Sequence, residues 1–212
     1  MGASTWIKIC GVTLPAGIET VVAGGAQAVG LNFVQWSKRR VEVAVARELV
    51  RVARRQIEVI GVVSDLQDDK ILELARFVGL DRVQLHGNED HAQLERLGSL
   101  VFKAVGIASR EDVARAVLFP GAPLLVDAAV GQQSGGTGTT FNWSLVSEVC
   151  RTRPVVVAGG LHPENVAEAV AFLRPFGVDV ASGVEPKGCP GIKDEKLVKQ
   201  FVAAVRHADS QR

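Results

Sequence analysis

The 212-residue sequence has few of the features that mark secreted or membrane proteins. Its three cysteines, Cys10, Cys150 and Cys189, are odd in number and too widely spaced for a zinc knuckle. We therefore expect reduced thiols in a cytoplasmic protein. No apolar run is long enough to span a bilayer, and the first residues lack the basic and then apolar pattern of a signal peptide. We expect no association with a membrane.

An excess of charge of one sign is also missing. Lysine and arginine number 24 and aspartate and glutamate 23, spread along the chain, which gives a net charge of +1. Because nucleic acids attract concentrated positive charge, we expect no nucleic-acid partner. Low-complexity segments and linkers are absent as well. With 47% hydrophobic residues, the composition supplies one large core, and the length favours a single domain over residues 1–212.

What the sequence does contain is an alternation of short apolar segments with amphipathic ones. Segments rich in Val, Ile and Leu predict parallel strands that are covered on both faces. Apolar residues three and four positions apart, as at Ala46, Leu49 and Val50, predict helices, and Pro163 with Glu164 is a typical helix start. The predicted strands are 6–11, 28–34, 59–64, 82–86, 101–106, 123–127, 154–158 and 178–182. The predicted helices are 15–24, 42–55, 68–79, 89–97, 109–118, 142–151, 163–174 and 193–207.

This alternation predicts an α/β protein, because parallel strands need crossover connections. A doubly wound sheet is the alternative. Eight regular units in so few residues, without an obvious crossover insertion, favour closure into a single (β/α)8 TIM barrel. Active sites of such barrels lie at the carboxyl ends of the strands, so the candidate functional residues are those at the strand ends.

The first strand ends in Cys10. Alternation along the strand places Lys8 and Cys10 on the face that would line the barrel interior. A lysine there is costly unless it is paired. We predict that Lys8 pairs with Asp179, because the first and eighth strands become neighbours on closure. A paired lysine would also lower the pKa of the thiol and favour the thiolate, the form that accepts a proton. The alternative interpretation is a plain buried cysteine.

Two further titratable residues end strands. Asp127 closes the run LLVD, and its carboxylate could simply accept hydrogen bonds from the following loop. With Cys10 at the same rim, a general acid and base pair becomes the better interpretation. His86 ends the fourth strand in VQLHG, where a satisfied structural histidine is somewhat more common than a catalytic one.

Glycine-rich segments follow the last three strands. SGGTGTTF (134–141), with Gly135, Gly136 and Gly138, has a bare backbone that can approach a ligand or close over it. Phosphate sites in barrels recur at the loops after strands seven and eight. These loops predict a phosphate site, and their small residues are Gly159, Gly160, Ser182 and Gly183.

A basic segment follows the second strand. It begins with Trp36 and contains Arg39 and Arg40. A solvated basic turn is the ordinary interpretation of such a cluster. The functional alternative is a guanidinium that binds a carboxylate, with Trp36 offering an aromatic face nearby.

In this order, these segments resemble the phosphoribosylanthranilate isomerase family, barrel enzymes of tryptophan biosynthesis. The resemblance spans nearly the whole chain. It is carried by KICGVT (8–13), GAQAVGLNF (25–33), SKRRV (37–41), VQLHGNE (83–89), LLVD (124–127), GGTGTTFNW (135–143), AGGLHPENV (158–166), VDVASGVE (178–185) and GIKD (191–194).

The resemblance implies an Amadori rearrangement of a small-molecule phosphosugar substrate, with neither cofactor nor metal. It implies that Cys10 is the general base that takes the C2′ proton and that Asp127 is the general acid that protonates the ring oxygen. It also implies that Arg39 binds the anthranilate carboxylate and that the glycines after strands seven and eight bind the phosphate.

Some positions depart from the family pattern, although none of them is Cys10 or Asp127. Gly17, Gln27, Asn142 and Ala181 stand where other residues are usual. Two other functions stay open. One is the related aminoaldose isomerase of histidine biosynthesis, which carries an aspartate where this chain has Cys10. The other is a non-catalytic phosphosugar-binding barrel. Monomer and homodimer are both open.

Overall fold

The computed structural model describes residues 4–127 and 143–211, and its strands form one closed parallel barrel. Each strand pairs with the next along the chain, and the eighth pairs with the first. The strands are β1 Trp6–Cys10, β2 Ala28–Asn32, β3 Glu58–Val63, β4 Arg82–Leu85, β5 Val101–Gly106, β6 Leu124–Asp127, β7 Val155–Ala158 and β8 Gly177–Val180. The helices are α1 Pro15–Gly24, α2 Val43–Ala53, α3 Asp68–Val78, α4 His91–Leu97, α5 Arg110–Ala116, α6 Trp143–Cys150, α7 Val166–Leu173 and α8 Glu195–Ser210. The predicted TIM barrel is confirmed.

Alternation along the strands divides the apolar residues between two cores. Residues such as Ile7 and Ile9 point outward and pack between the barrel and its helices. A smaller group that includes Ile60, Phe102 and Leu125 fills the barrel interior. Because the interior is packed, the chemistry of the barrel is confined to the mouth, at the carboxyl ends of the strands.

The seventh helix begins later than the sequence predicts. Its first residue is Val166, so the prediction of a helix start at Pro163 was wrong. The Asn165 side chain explains the delay: its Oδ1 accepts a hydrogen bond from the His162 N–H at 2.8 Å, and its Nδ2 donates to the Gly160 carbonyl at 3.0 Å. This turn holds the backbone that follows β7 before the helix begins.

The eighth strand is also shorter than predicted. It ends at Val180, and a 3₁₀ turn, Ser182–Val184, replaces the extended backbone that the sequence pattern indicated as far as residue 182. The chain therefore turns sharply at the mouth.

At the opposite end of the barrel, polar side chains tie the start of β1 to α8. Thr5 Oγ1 donates to Asp209 Oδ1 at 2.6 Å, and Arg206 Nη1 donates to the Thr5 carbonyl at 2.6 Å. Gln27 Oε1 accepts from Arg206 Nη2 and from the Ile7 N–H, both at 3.0 Å. Gln27, one of the departures from the family pattern, therefore serves closure of the ring far from the mouth.

Candidate active site

The carboxyl end of β1 places a thiol directly beside a buried ion pair. Lys8 is fully buried, and its Nζ lies 3.0 Å from Asp179 Oδ1 on the neighbouring strand, which confirms the predicted pair. Gly30 on β2 makes room for this arrangement. A Cβ at Gly30 would lie 2.7 Å from Cys10 Sγ and 3.1 Å from Lys8 Cε. A glycine inside a strand is the sequence signal for such a close approach, and the prediction of the site did not use it.

Lys8 lowers the pKa of the Cys10 thiol, as predicted, but the thiolate that this was expected to favour is not the main form. Burial raises the pKa of the Cys10 thiol, and the opposing effect of Lys8 is weaker. The Asp179 carboxylate acts in the same direction as burial. Burial lowers the pKa of Lys8, but Asp179 and Cys10 more than compensate, so this pKa is raised overall. The site therefore holds a protonated thiol beside a charged ammonium.

His86 and Asp127 stand on other arcs of the same mouth. Asp127 ends β6 and is half-buried, whereas His86 follows β4 directly and is exposed. Surrounding protein still excludes enough water to lower the pKa of His86, and the nearby Asp127 charge opposes that effect. His86 also interacts electrostatically with Lys8 and Asp179. The ends of β1, β4, β6 and β8 thus face one common space.

Arg39 reaches this space from the loop after β2. Its stem crosses Gly11, where φ is +74° and where a Cβ would overlap the Arg39 side chain. Its guanidinium binds Glu185 with two hydrogen bonds, from Nε to Oε1 at 2.8 Å and from Nη2 to Oε2 at 2.6 Å. These bonds raise the pKa of Arg39 further. The predicted carboxylate-binding residue therefore already holds a carboxylate of this chain, which the sequence analysis did not predict.

The loops after β7 and β8 contact each other through their backbones. Gly159 and Gly160 have φ values of +94° and +65°, which favour glycine. A Cβ at Gly183 would overlap the Leu161 carbonyl oxygen, so only glycine permits this approach. Ser182 begins the 3₁₀ turn beside it and is exposed. Four residues that the sequence predicted to act together thus lie in two touching loops.

The described residues do not test two other predicted features. Trp36 is 76% exposed, and its aromatic role stays a prediction. The segment after β6, with Gly135, Gly136 and Gly138, lies outside the described residues, as does Asn142.

A second buried ion pair supports the mouth between β4 and β5. Lys103 Nζ lies 2.6 Å from Glu89 Oε2 and donates to the Gly87 carbonyl at 2.6 Å. Glu89 also accepts the Asp65 N–H at 2.8 Å and the Gly87 N–H at 2.9 Å. The pair therefore fixes the loops after β3 and β4. No sequence signal predicts this pair, because Lys103 lies within an otherwise ordinary apolar strand.

All three cysteines are free thiols, as predicted. Cys10 is buried, Cys150 is half-buried against the core and Cys189 is exposed. Within residues 4–127 and 143–211, no helix combines the length and apolar character needed to cross a membrane. The same residues contain no cluster of three His, Cys, Asp or Glu side chains suited to a metal ion.

Comparison with known proteins agrees with this architecture. Residues 7–204 match the model of a family described as N-(5'phosphoribosyl)anthranilate (PRA) isomerase. A Myxococcus xanthus protein named N-(5'-phosphoribosyl)anthranilate isomerase is 43% identical over 96% of this chain and 97% of its own length. A Desulforamulus reducens protein of the same name is 42% identical over 94% of each chain.

Solved structures give the same result. The crystal structure of phosphoribosyl anthranilate isomerase from Thermotoga maritima superimposes with a TM-score of 0.87 at 37% identity, over 96% of this chain and 99% of that one. Another such structure, in complex with reduced 1-(o-carboxyphenylamino)-1-deoxyribulose 5-phosphate, has a TM-score of 0.85 at 36% identity, over 96% of this chain and 99% of that one. The chain therefore belongs to the N-(5'-phosphoribosyl)anthranilate isomerase family, TIM-barrel isomerases of tryptophan biosynthesis.

Proposed function

We propose that this chain converts N-(5'-phosphoribosyl)anthranilate into 1-(o-carboxyphenylamino)-1-deoxyribulose 5-phosphate by general acid and base catalysis. One observation carries the proposal: a thiol beside a buried ammonium and a carboxylate on another arc face the same barrel mouth. The substrate carries an anion at each end. Arg39 and the two glycine-bearing loops flank the mouth, which suits such a molecule.

Asp127 acts as the general acid. It gives its proton to the furanose ring oxygen, the bond between this oxygen and C1′ breaks, and the nitrogen lone pair forms a C1′=N iminium. Cys10 then removes the C2′ proton, and the electrons of the C2′–H bond form a C1′=C2′ double bond that neutralises the nitrogen. The enol becomes the ketone when its hydroxyl loses a proton and C1′ gains one.

The environment of Cys10 suits a base of which only a small fraction is ionised at any time. Because burial raises the pKa of the thiol, little thiolate is present near neutral pH. The thiolate that forms lies beside the Lys8 ammonium, which stabilises it. Positioned acids and bases contribute roughly 10²–10⁴-fold each, so this limited population still supports catalysis.

Arg39 binds the anthranilate carboxylate with the edge of its guanidinium that Glu185 leaves available. A guanidinium has five N–H donors, and the bonds to Glu185 use Nε and one donor of Nη2. Among residues 4–127 and 143–211, none accepts a hydrogen bond from Arg39 Nη1. Arg39 can therefore hold two carboxylates at once, one from Glu185 and one from the substrate.

The phosphate binds at the loops after β7 and β8. Backbone N–H groups of Gly159, Gly160, Ser182 and Gly183 are proposed as its donors, since phosphate sites of barrels recur at the loops after the seventh and eighth strands. His86, Lys8 and Asp179 support the site without contacting the phosphate.

We further propose that residues 1–212 act as one catalytic domain in the cytoplasm, as a monomer or homodimer, with no cofactor or metal. The closed barrel supports the single domain.

The test is turnover of phosphoribosylanthranilate generated in situ and followed by the loss of its fluorescence. Cys10→Ser and Asp127→Asn should each lower kcat by roughly 10²–10⁴-fold. Cys189→Ser and Asp69→Asn, which change exposed residues with the same chemistry, are the matched controls and should retain activity. A silent wild type that still binds a phosphosugar would favour the non-catalytic barrel. Turnover of only the aminoaldose substrate of histidine biosynthesis would favour the related isomerase.

A further inference from the structure

Glu185 lies at the centre of a buried charged cluster and accepts four hydrogen bonds. Its side chain is 4% exposed, and besides the two bonds from Arg39 it accepts from Lys193 Nζ at 2.6 Å and from the Gly191 N–H at 2.9 Å. The Lys193 side chain is fully buried. One carboxylate is therefore shared between two cations at the mouth of the barrel.

The cluster carries an uncompensated positive charge. Burial raises the pKa of Glu185, but the hydrogen bonds from Arg39, Lys193 and Gly191 outweigh it and leave this pKa below its ordinary value. Glu185 is therefore ionised near neutral pH. Two cations and one anion leave a charge of +1, which one substrate carboxylate would neutralise.

The same cluster also contacts the backbone that follows β8 and the loop after β1. Lys193 Nζ also donates to the Ala181 carbonyl at 3.1 Å, directly before the turn of Ser182 and Gly183. The Gly191 carbonyl accepts a bond from Thr13 Oγ1 at 3.0 Å, in the loop after β1. Glu185 thus connects Arg39 to the backbone that follows β8.

We propose that Glu185 is a positioning residue that directs the second edge of the Arg39 guanidinium towards the anthranilate carboxylate, and that Lys193 holds Glu185 in place. The inference rests on the proposed function. Arg39 has a long flexible side chain, so its guanidinium keeps one orientation towards a ligand only if another group holds it. Glu185 does so through two parallel bonds. It therefore sets the selectivity for an anthranilate moiety over an uncharged aromatic ring.

The experiment compares two ligands on the intact protein. One is reduced 1-(o-carboxyphenylamino)-1-deoxyribulose 5-phosphate, and the other is its aniline counterpart, which lacks the carboxylate. Titration calorimetry gives both dissociation constants for the wild type, Glu185→Gln and Glu185→Asp. Loss of a partner that orients a metal ligand typically costs about 10- to 100-fold, and by analogy we expect a loss of that size for the carboxylate ligand with Glu185→Gln. The affinity for the aniline ligand should change far less, so the discrimination between the two ligands falls.

Further variants separate positioning from folding. Glu185→Asp keeps the charge on a shorter side chain and should be folded, with an intermediate loss of discrimination. Lys193→Arg should retain the discrimination, and Lys193→Met should reduce it as Glu185→Gln does. Glu195→Gln, at an exposed ion pair at the start of α8, is the matched control and should bind as the wild type does. Thermal unfolding checks that every variant is folded.

The outcomes are distinct. Equal losses for both ligands would indicate a merely structural role and would overturn the inference. Unchanged discrimination in Glu185→Gln would overturn it as well. A wild type that turns over the substrate yet does not discriminate between the ligands would overturn the inference and leave the proposed function standing. A wild type that neither turns over nor binds would overturn both.

Discussion

Lys8 Nζ and Asp179 Oδ1 lie 3.0 Å apart at the seam where β1 pairs with β8, with side-chain exposures of 0% and 9%. Removing one partner of a buried ion pair leaves the other charge without compensation. We therefore expect Lys8→Met to lower the free energy of unfolding by about 3–5 kcal/mol, measured by urea denaturation.

The double variant Lys8→Met/Asp179→Leu should recover part of this loss, since it leaves no buried charge. Lys199→Met removes an exposed ion pair with Glu195 and is the control, with an expected change of about 0–1 kcal/mol. A loss for Lys8→Met no larger than for the control would contradict the assignment of a buried, charged pair.

The pKa of the Cys10 thiol predicts how the rate depends on pH. Because burial raises this pKa above its ordinary value of 9.0, the base is mostly protonated throughout the neutral range. The mechanism also needs a proton on Asp127, so the base is isolated in Asp127→Asn, which has no acid group at this position. For this variant we expect the residual kcat/KM to rise with pH by about tenfold per unit on the acidic side of the thiol pKa. The profile of kcat/KM in buffers of constant ionic strength measures this limb. A residual rate independent of pH across the neutral range would rule out the thiolate of the free protein as the base.

The contact between the loops after β7 and β8 predicts an effect of Gly183→Ala. The new methyl group would overlap the Leu161 carbonyl oxygen, so the two loops must separate. We expect a loss of about 1–3 kcal/mol in stability, together with weaker binding of inorganic phosphate in a calorimetric titration.

Gly188→Ala is the matched control in the same loop. Its Cβ would meet nothing within 4 Å, but its φ of +79° imposes strain of about 1–2 kcal/mol. It should therefore lose stability and keep its affinity for phosphate. If both variants bind phosphate as the wild type does, Gly183 has only a packing role.

The buried pair of Lys103 and Glu89 predicts a local effect on the rim. Lys103→Met leaves the Glu89 carboxylate buried without its cation, at an expected cost of about 3–5 kcal/mol. Because Glu89 accepts the N–H groups of Asp65 and Gly87, hydrogen exchange of these two amides should accelerate. Lys70→Met, at an exposed ion pair on α3, should leave both amides protected.

The three thiols should react at different rates with a disulfide reagent. Cys189 is exposed, whereas burial raises the pKa of Cys150 to about 12. Burial also raises the pKa of Cys10 above its ordinary value. We expect one fast thiol in the native protein and three after denaturation, and Cys189→Ser should abolish the fast phase. A second fast thiol would show that the protein opens readily around Cys10 or Cys150.

Much of the fold follows from local pattern. Strand positions such as Ala28 and Glu58 lie within one residue of the predicted starts, because the apolar strands and amphipathic helices have different periods. The predicted start of α7 was wrong because the Asn165 side chain binds backbone groups that would otherwise join the helix. The periodicity of apolar residues does not reveal such competition.

The site was predictable only in part. The pair of Lys8 and Asp179 follows from ring closure, since strand order fixes which ends meet. The bond between Arg39 and Glu185 joins residues 146 positions apart in two irregular loops, which no strand register relates. The pKa of Cys10 depends on how much water the folded barrel excludes. The alternation of residues along β1 does not reveal that amount.

The seam between β1 and β8 has a consequence for refolding. Cys10, Lys8 and Asp179 come from the first and last strands, so their arrangement exists only once the two ends of the sheet have met. The helices and most strand pairs can form before β1 meets β8, and they do not assemble this arrangement by themselves. Recovery of isomerase activity after dilution from denaturant would thus time the closing of the ring, while far-UV circular dichroism would time the elements that precede it.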